Sequence, residues 1–378
     1  MNTLLNSELS YLPQGNSADA RVQAFKRHPS EDLYVIGITG TNGKTTVAHL
    51  IGKVLERSGY KPFVLGTLNS GNKDLSTPEP DDIVRFMAEH LENGGTHFIM
   101  EVTSEGIDQC RIAAVDFNVK LLTNITPDHL DYHKTFDNYK QVKLGFMAEG
   151  GAHKVYPDEF KQADISFPCK LLGAFNHLNI QAAASVLRYM RIPERRIRAA
   201  LSSCTGPKGR LEQVEQGQEF IVLIDYAHTS DALKNVLGTL KDLASSRGGR
   251  LLVLFGCGGN RDSIKRPRMG KIASEIADFV VITDDNPRNE DGRKIMAEIE
   301  LGIVPSFNNY SLIQDRSSAI KYIINQAHAH DVVILAGKGH ETYQVQQSGT
   351  IHFDDREEAV SALKNCLTHE ERLGLISC

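Results

Sequence analysis

The chain has 378 residues, 41% of them hydrophobic and 24% charged, with a formal net charge of −5 at pH 7. These proportions describe a globular chain of two or three domains, and the slight acidity points to neither a nucleic-acid nor a membrane partner. No apolar run approaches a membrane span. The N-terminus lacks the basic start and apolar core of a signal segment, and the six cysteines form no CxxC pair. The reading is a cytoplasmic protein with reduced thiols, without a disulfide framework or a zinc site.

Residues 1–32 are polar and weakly patterned, a short leader or one short helix. Beyond them, short apolar runs alternate with helical periodicity. YVIGITG (34–40), THFIMEV (96–102) and VKLLTNIT (119–126) read as strands, and VAHLIGKVLERSG (47–59) as a helix. The rhythm returns in the strands EFIVLIDYA (219–227), RLLVLFG (250–256), DFVVITDD (278–285) and DVVILAG (331–337), with helices in DALKNVLGTLKDLA (231–244) and KIASEIA (271–277). Such alternation predicts parallel sheets covered by helices. Gly206, Pro207 and Gly209 mark a hinge near residues 201–213. The predicted class is α/β: a P-loop-type parallel-sheet ATPase domain at 33–207, then a smaller Rossmann-like α/β domain at 208–378.

Residues 38–46 read ITGTNGKTT, directly after a strand and before a helix. Gly40 and Gly43 let the backbone curl so that its N–H groups point at phosphate oxygens, and the following helix presents its positive end. Lys44 would neutralise the terminal phosphates and the Thr45 hydroxyl would hold Mg²⁺. The strict G-x-x-x-x-G-K-[ST] pattern is not met, because Ile38 stands at the first glycine. A plain glycine turn with a solvent-facing lysine is the alternative; the strand–loop–helix order argues against it.

TGTNGKTT resembles the version of this loop in the Mur ligase family, ATP-dependent amide-forming enzymes of cell-wall peptide synthesis. TNITPDHLDYH, LGAFNHLN, IDYAHTSDAL, FGCGGNRD, TDDNPRNEDG and AGKGHETYQ, in the family's order, resemble the branch that adds the third amino acid to UDP-MurNAc-L-Ala-D-Glu. The resemblance implies an ATP- and Mg²⁺-dependent acid–amino-acid ligase that turns an acceptor carboxylate into an acyl phosphate and couples it to an amine. It implies nucleotide contacts from Gly40, Thr41, Asn42, Gly43, Lys44, Thr45 and Thr46, with Asn176 and Asn179 on the adenine side, although Asn also caps helices well. Glu101 and His129 follow predicted strand ends, where α/β sheets place ligands. With Thr45 they make a metal set, although His129 alone reads equally as a capping or core histidine. Lys143 matches a lysine carbamylated in the family to a metal ligand; Lys140 is its competitor. Arg210, Asp225 and His228 match residues brought to the phosphates from the second domain, whose closure would keep water from the acyl phosphate.

Asn286 and Arg288 (DNPR), Arg261, Gly337 and Glu341 (GKGHE) suit an amino acid with two charged ends, and DNPR resembles the version selecting meso-diaminopimelate. Arg288 by itself reads as a surface salt bridge; four groups on three strand-end loops favour binding. Thr77, Thr103, Ser104 and Arg111 match acceptor-binding positions. Three features depart from the family: only about thirty-three residues precede the first strand, too few for a packed domain; the stretch between Lys143 and GAFNHLN is short; and Glu105 replaces a histidine in the family's SSHAL segment, here TSEGI. The expectation is a working ligase whose acceptor is the UDP-linked peptide, with a partner protein supplying the missing recognition, or a smaller peptide or acid without UDP. A catalytically dead nucleotide-binding regulator is the alternative of another class, opposed by intact Lys44, Glu101, His129 and Lys143. A folate polyglutamate ligase fits less well, because DNPR and GKGHE lie outside its pattern.

Overall fold

A computed structural model describes residues 28–70, 75–161 and 171–372. The leader predicted at 1–32 lies outside the described residues up to residue 27; Pro29–Asp32 form one 3₁₀ turn. Among the described residues no helix is long and apolar enough to cross a membrane.

Five strands build the first sheet: β1 (Tyr34–Thr39), β2 (Pro62–Leu65), β3 (His97–Glu101), β4 (Val119–Leu122) and β5 (His153–Val155). Their order is β2-β3-β1-β4-β5 and every pair is parallel. β1 is central, with Val35, Ile36 and Ile38 wholly buried, and it ends in the glycine loop. The helix Lys44–Arg57 covers the sheet through Val47, Leu50, Ile51 and Val54, which pack with Ile180, Ala183, Ala184 and Leu187 of the helix Ala174–Tyr189. That apolar face lies at helical spacing, and burying it fixes where the helix starts under the loop.

The second sheet comprises β6 (Glu212–Val214), β7 (Ile221–Asp225), β8 (Leu251–Phe255), β9 (Phe279–Ile282), β10 (Tyr310–Leu312) and β11 (Val332–Ala336). The order is β10-β9-β8-β11-β7-β6, parallel except that β6 runs against β7. Its central strands are buried on both faces and read as unbroken apolar runs, as parallel strands do. A hairpin, β12 (Tyr343–Gln346) and β13 (Gly349–His352), follows β11.

The predicted strand at 119–126 stops at Leu122. Its last four residues instead grip the glycine loop. Thr123 Oγ1 donates to Asn42 O (2.6 Å), Asn124 Oδ1 accepts from Asn42 N (3.0 Å) and Thr126 N donates to Thr41 Oγ1 (3.0 Å). These backbone and hydroxyl groups satisfy the loop, so they leave the ladder. The short strands β2, β5, β6, β10, β12 and β13 are absent from the predicted set; three or four residues carry little periodicity of their own, and β4 and β9, equally short, are read only as parts of longer runs.

Between the helix Glu194–Ser203 and β6 runs the linker 204–211. It is packed down rather than loose: at Gly209 (φ 69°) a Cβ would stand 2.1 Å from His340 N. Behind the second sheet, Arg316 and Asp355 are both fully buried and form a two-armed ion pair, Nε–Oδ1 2.8 Å and Nη2–Oδ2 2.7 Å. Arg316 Nη2 also donates to Ala336 O (3.1 Å), at the end of β11, and so holds the loop that carries Gly337. Asp355→Ala would leave a buried guanidinium without its anion. The expected loss is about 3–5 kcal/mol of stability, read as a lower denaturation midpoint.

Candidate active site

The loops at the carboxyl ends of both sheets meet in a cleft of about 510 Å³ lined from the first half by Lys44, Thr45 and Glu101 and from the second by Asn286, Arg288 and Glu341. Gly43 (φ 87°) has no room for a side chain, since a Cβ would sit 2.3 Å from Asn179 Oδ1. Lys44 Nζ folds over the loop and donates to Gly40 O (2.8 Å) and Thr41 O (2.9 Å). Burial lowers its pKa, opposed chiefly by the charge of Glu101. Thr46, in the first turn of the helix that follows, is buried and lines the cleft.

Thr45 Oγ1 donates to Glu101 Oε2 (3.0 Å), and Thr67, which the sequence reading missed, donates to the same carboxylate through N and Oγ1 (both 3.0 Å). A hydroxyl and a carboxylate oxygen side by side are the hard donors magnesium takes. His129 sits in the left-handed region (φ 51°), with Nδ1 2.7 Å from Glu105 Oε1 and Nε2 3.4 Å from Asp128 Oδ2. Burial works against the imidazolium, but these two carboxylates overcome it and raise the His129 pKa. The Glu105 carboxyl is pushed up by burial, yet His129 holds it down at about 2. Lys143 is 1% exposed, whereas Lys140 is exposed on the outer face of the same helix, Phe136–Ala148. Lys143 Nζ donates to Thr39 Oγ1 (3.3 Å) and Gly40 O (3.2 Å). Burial, with the charge of Lys44, pushes it well below the usual lysine value. Among the described residues no three His, Cys, Asp or Glu side chains stand together in a metal-holding group. Thr45 and Glu101 fit magnesium as they stand; Lys143 fits only as an acidic derivative, because an amine that donates hydrogen bonds offers no anionic ligand.

Asn176 and Asn179 lie under the loop, outside the cleft lining. Asn176 Nδ2 donates to Leu172 O (2.8 Å) and Asn179 Nδ2 to Asn176 Oδ1 (3.0 Å). Neither caps its helix, whose N-cap is Gly173. Thr77, Thr103, Ser104 and Arg111 cluster beside Glu101. Thr77 Oγ1 donates to Glu101 O (2.9 Å) and accepts from Thr103 N (2.9 Å), Thr103 caps the helix Ser104–Asp108, and Arg111 Nη1 donates to Thr77 O (2.8 Å).

Arg210 crosses from the second half, Nη2 3.3 Å from Thr45 Oγ1, with its guanidinium 4.5 Å from the Tyr226 ring centroid. Asp225 accepts from Leu211 N and Ala227 N (2.8 Å each), which fixes the segment carrying Arg210. His228 Nδ1 stands 2.8 Å from Tyr226 O, and burial, helped by Lys265, lowers its pKa to about 4, so the ring is neutral near pH 7. Asn286 Nδ2 donates to Glu341 Oε2 (2.9 Å). Arg288 (φ 54°) turns back to Gly259 O (3.0 Å), and Arg261 is exposed at the lip. Gly337 N donates to Asp225 O (3.0 Å).

The sequence reading missed Lys338, Asp285 and Asp231. Lys338, fully buried, donates to Glu341 Oε2 (3.1 Å) and Asn286 Oδ1 (3.2 Å), so an internal cation already faces the glutamate. Asp285 lines the cleft next to Asn286. Asp231 Oδ2 accepts from Asn42 Nδ2 (2.9 Å), a second bond between the halves. All three neighbour motif residues, and no spacing rule singles them out.

Residues 38–156 match the Mur ligase middle domain and residues 209–339 the Mur ligase, glutamate ligase domain. The chain is 36% identical to the UDP-N-acetylmuramoyl-L-alanyl-D-glutamate--2,6-diaminopimelate ligase of Syntrophomonas wolfei over 93% of this chain and 83% of that protein. It belongs to the Mur ligase family. Members of that family are ATP-dependent ligases. This Mur ligase is 34% identical to the enzyme of the same name from Bacillus cereus, over 92% of the chain and 81% of that protein. A solved UDP-N-acetylmuramoyl-L-alanyl-D-glutamate--2,6-diaminopimelate ligase superposes with a TM-score of 0.57 at 29% identity, covering 88% of this chain and 78% of that one. Escherichia coli FolC, solved with DHPP and ADP, shares the fold with a TM-score of 0.65 at 16% identity over 95% and 94% of the two chains.

Gly43→Ala forces a side chain into a left-handed backbone and against Asn179. A strain of about 1–3 kcal/mol corresponds to nucleotide binding weaker by roughly tenfold or more, read by ADP titration.

Proposed function

We propose that this Mur ligase acts in the cytoplasm and joins a diaminopimelate-like amino acid to the carboxylate of a UDP-MurNAc-dipeptide. Residues 33–207 would hold nucleotide and acceptor, and residues 208–378 the amino acid. The observation that carries this reading is the single cleft that has Lys44, Thr45 and Glu101 on one wall and Asn286, Arg288 and Glu341 on the other. The relatives from Syntrophomonas wolfei and Bacillus cereus carry that chemistry in their names.

The acceptor carboxylate attacks the γ-phosphorus of ATP, ADP leaves, and the amine then attacks the acyl phosphate carbon and expels phosphate. Gly40, Thr41, Asn42, Gly43 and Thr46 shape the loop around the phosphates; Lys44 and Arg210 supply positive charge where phosphoryl oxygens gather negative charge. Asp225 keeps the Arg210 segment in place through Leu211 N, His228 packs on Tyr226, the ring against the Arg210 guanidinium, and Asn176 and Asn179 support the loop from below. Magnesium, when bound, supplies charge neutralisation and would be held by Thr45, Glu101, His129 and a carbamylated Lys143. Burial of Lys143 favours its neutral amine, the form that adds CO₂ to give a carbamate and a proton. Thr77, Thr103, Ser104 and Arg111 border the acceptor. Arg288 and Arg261 would grip a carboxylate of the amino acid, with Asn286, Gly337 and Glu341 around its other polar groups.

Phosphate release is the direct assay. Lys44→Ala is expected to abolish it, and an unchanged rate removes the loop from the reaction. Arg288→Ala is expected to lower kcat/KM for meso-diaminopimelate by about 10²-fold, through loss of a charged contact. An unaltered amino-acid preference would refute that role. Screening acceptors with and without UDP, alone and with a second protein added, tells whether this chain recognises the UDP-linked peptide, needs a partner for it, or uses another acid. No turnover with any pair would favour a non-catalytic regulator.

A further inference from the structure

Glu105 stands beside the phosphate loop, in the first turn of the helix Ser104–Asp108 and four residues after Glu101. Its carboxylate points at His129: Oε1 lies 2.7 Å from His129 Nδ1, while Oε2 accepts from Ser104 Oγ at 3.2 Å. The rest of His129 is also constrained. Asp128 Oδ1 accepts from the His129 backbone N (2.9 Å), and Asp128 Oδ2 lies 3.4 Å from Nε2. The ring faces Tyr139 at 6.2 Å and 30°, and the Tyr139 hydroxyl is tied to Thr41 Oγ1 at 2.8 Å. Glu105, at 2.7 Å from Nδ1, is therefore the nearest side-chain partner of the imidazole, while Nε2 has only the longer 3.4 Å approach to Asp128.

A metal-binding imidazole characteristically donates its second ring N–H to a carboxylate, which fixes the tautomer and aims the free nitrogen. We infer that Glu105 is a positioning residue: by accepting the Nδ1–H of His129 it presents Nε2 to the magnesium site beside Thr45 and Glu101. The inference rests on the assignment of His129 as a metal ligand in the proposed function. The contact is a hydrogen bond between two cleft-lining side chains, so Glu105 acts on the metal through another residue, and its replacement of a histidine bears on the metal side of the cleft rather than on the acceptor.

The test is Mn²⁺ binding to the full chain in the presence of β,γ-methylene-ATP, followed by electron paramagnetic resonance. Glu105→Ala is expected to weaken Mn²⁺ by about 10- to 100-fold, with thermal midpoint and metal-free nucleotide affinity unchanged. Turnover should fall in kcat more than in the KM for ATP and recover with added Mg²⁺. Glu105→Gln, whose carbonyl still accepts from Nδ1–H, is expected to keep most of the affinity; Glu105→Ser is read in place of the alanine variant if that does not fold. His129→Ala sets the reference. Weakened Mn²⁺ in His129→Ala but not in Glu105→Ala overturns the positioning role while leaving the metal assignment standing. No weakening in His129→Ala removes the metal assignment and this inference with it. A change confined to the KM of the acceptor would place Glu105 on the acceptor instead.

Discussion

Two lysines share one carbonyl. Lys44 Nζ and Lys143 Nζ lie 2.8 Å and 3.2 Å from Gly40 O, at the end of the central strand of the first sheet. Two ammonium groups this close, shielded from water, oppose one another, and the acids Glu101, Glu105 and Asp128 favour the charge on Lys44. Burial weakens both ammonium groups, and of the two Lys143 is the more deeply enclosed. The arrangement separates their chemistry. One lysine keeps a counter-charge role over the loop, while the other is driven toward the neutral amine that can be modified. A phosphate arriving at the loop would complete a charge pattern that the protein has already assembled.

The rest of the fold brings the second half to that point. Arg210 reaches Thr45, and Asp231 reaches Asn42, from elements that belong to the other sheet. Their positions are set by backbone bonds rather than by salt bridges: Asp225 caps two N–H groups around the arginine, and Gly337 N bonds to Asp225 O across neighbouring strands. Farther back, the buried Arg316–Asp355 pair anchors the end of β11. A buried pair of this kind is costly to desolvate, and its two-armed geometry fits a role in holding one loop conformation.

Within the amino-acid side of the cleft, Lys338 alters a simple reading of Glu341. A lone glutamate would call for a substrate ammonium, yet Lys338 and Asn286 already occupy one of its oxygens. Burial, with the charge of Asp285, raises the Glu341 pKa. Negative charge toward a substrate is thus spread over Asp285 and Glu341 together, with Lys338 as the internal counter-ion.

The sequence by itself determined the alternation of strands and helices, the phosphate loop and the strand ends where functional groups would gather. Those features follow from local periodicity and from glycine, lysine and threonine at fixed offsets. It also ranked Lys143 above Lys140 only by resemblance; the fold supplies the reason, since Lys143 faces the loop from inside a helix and Lys140 faces solvent. Asn176 and Asn179 were legible as important but not as supports beneath Gly43, because that contact joins residues 136 apart in the chain through packing alone. Glu105 was legible as a departure, and its partner was not. Which acid touches His129 depends on how the turn after β3 and the loop after β4 meet over the central strand, and no pattern within either segment encodes that distance.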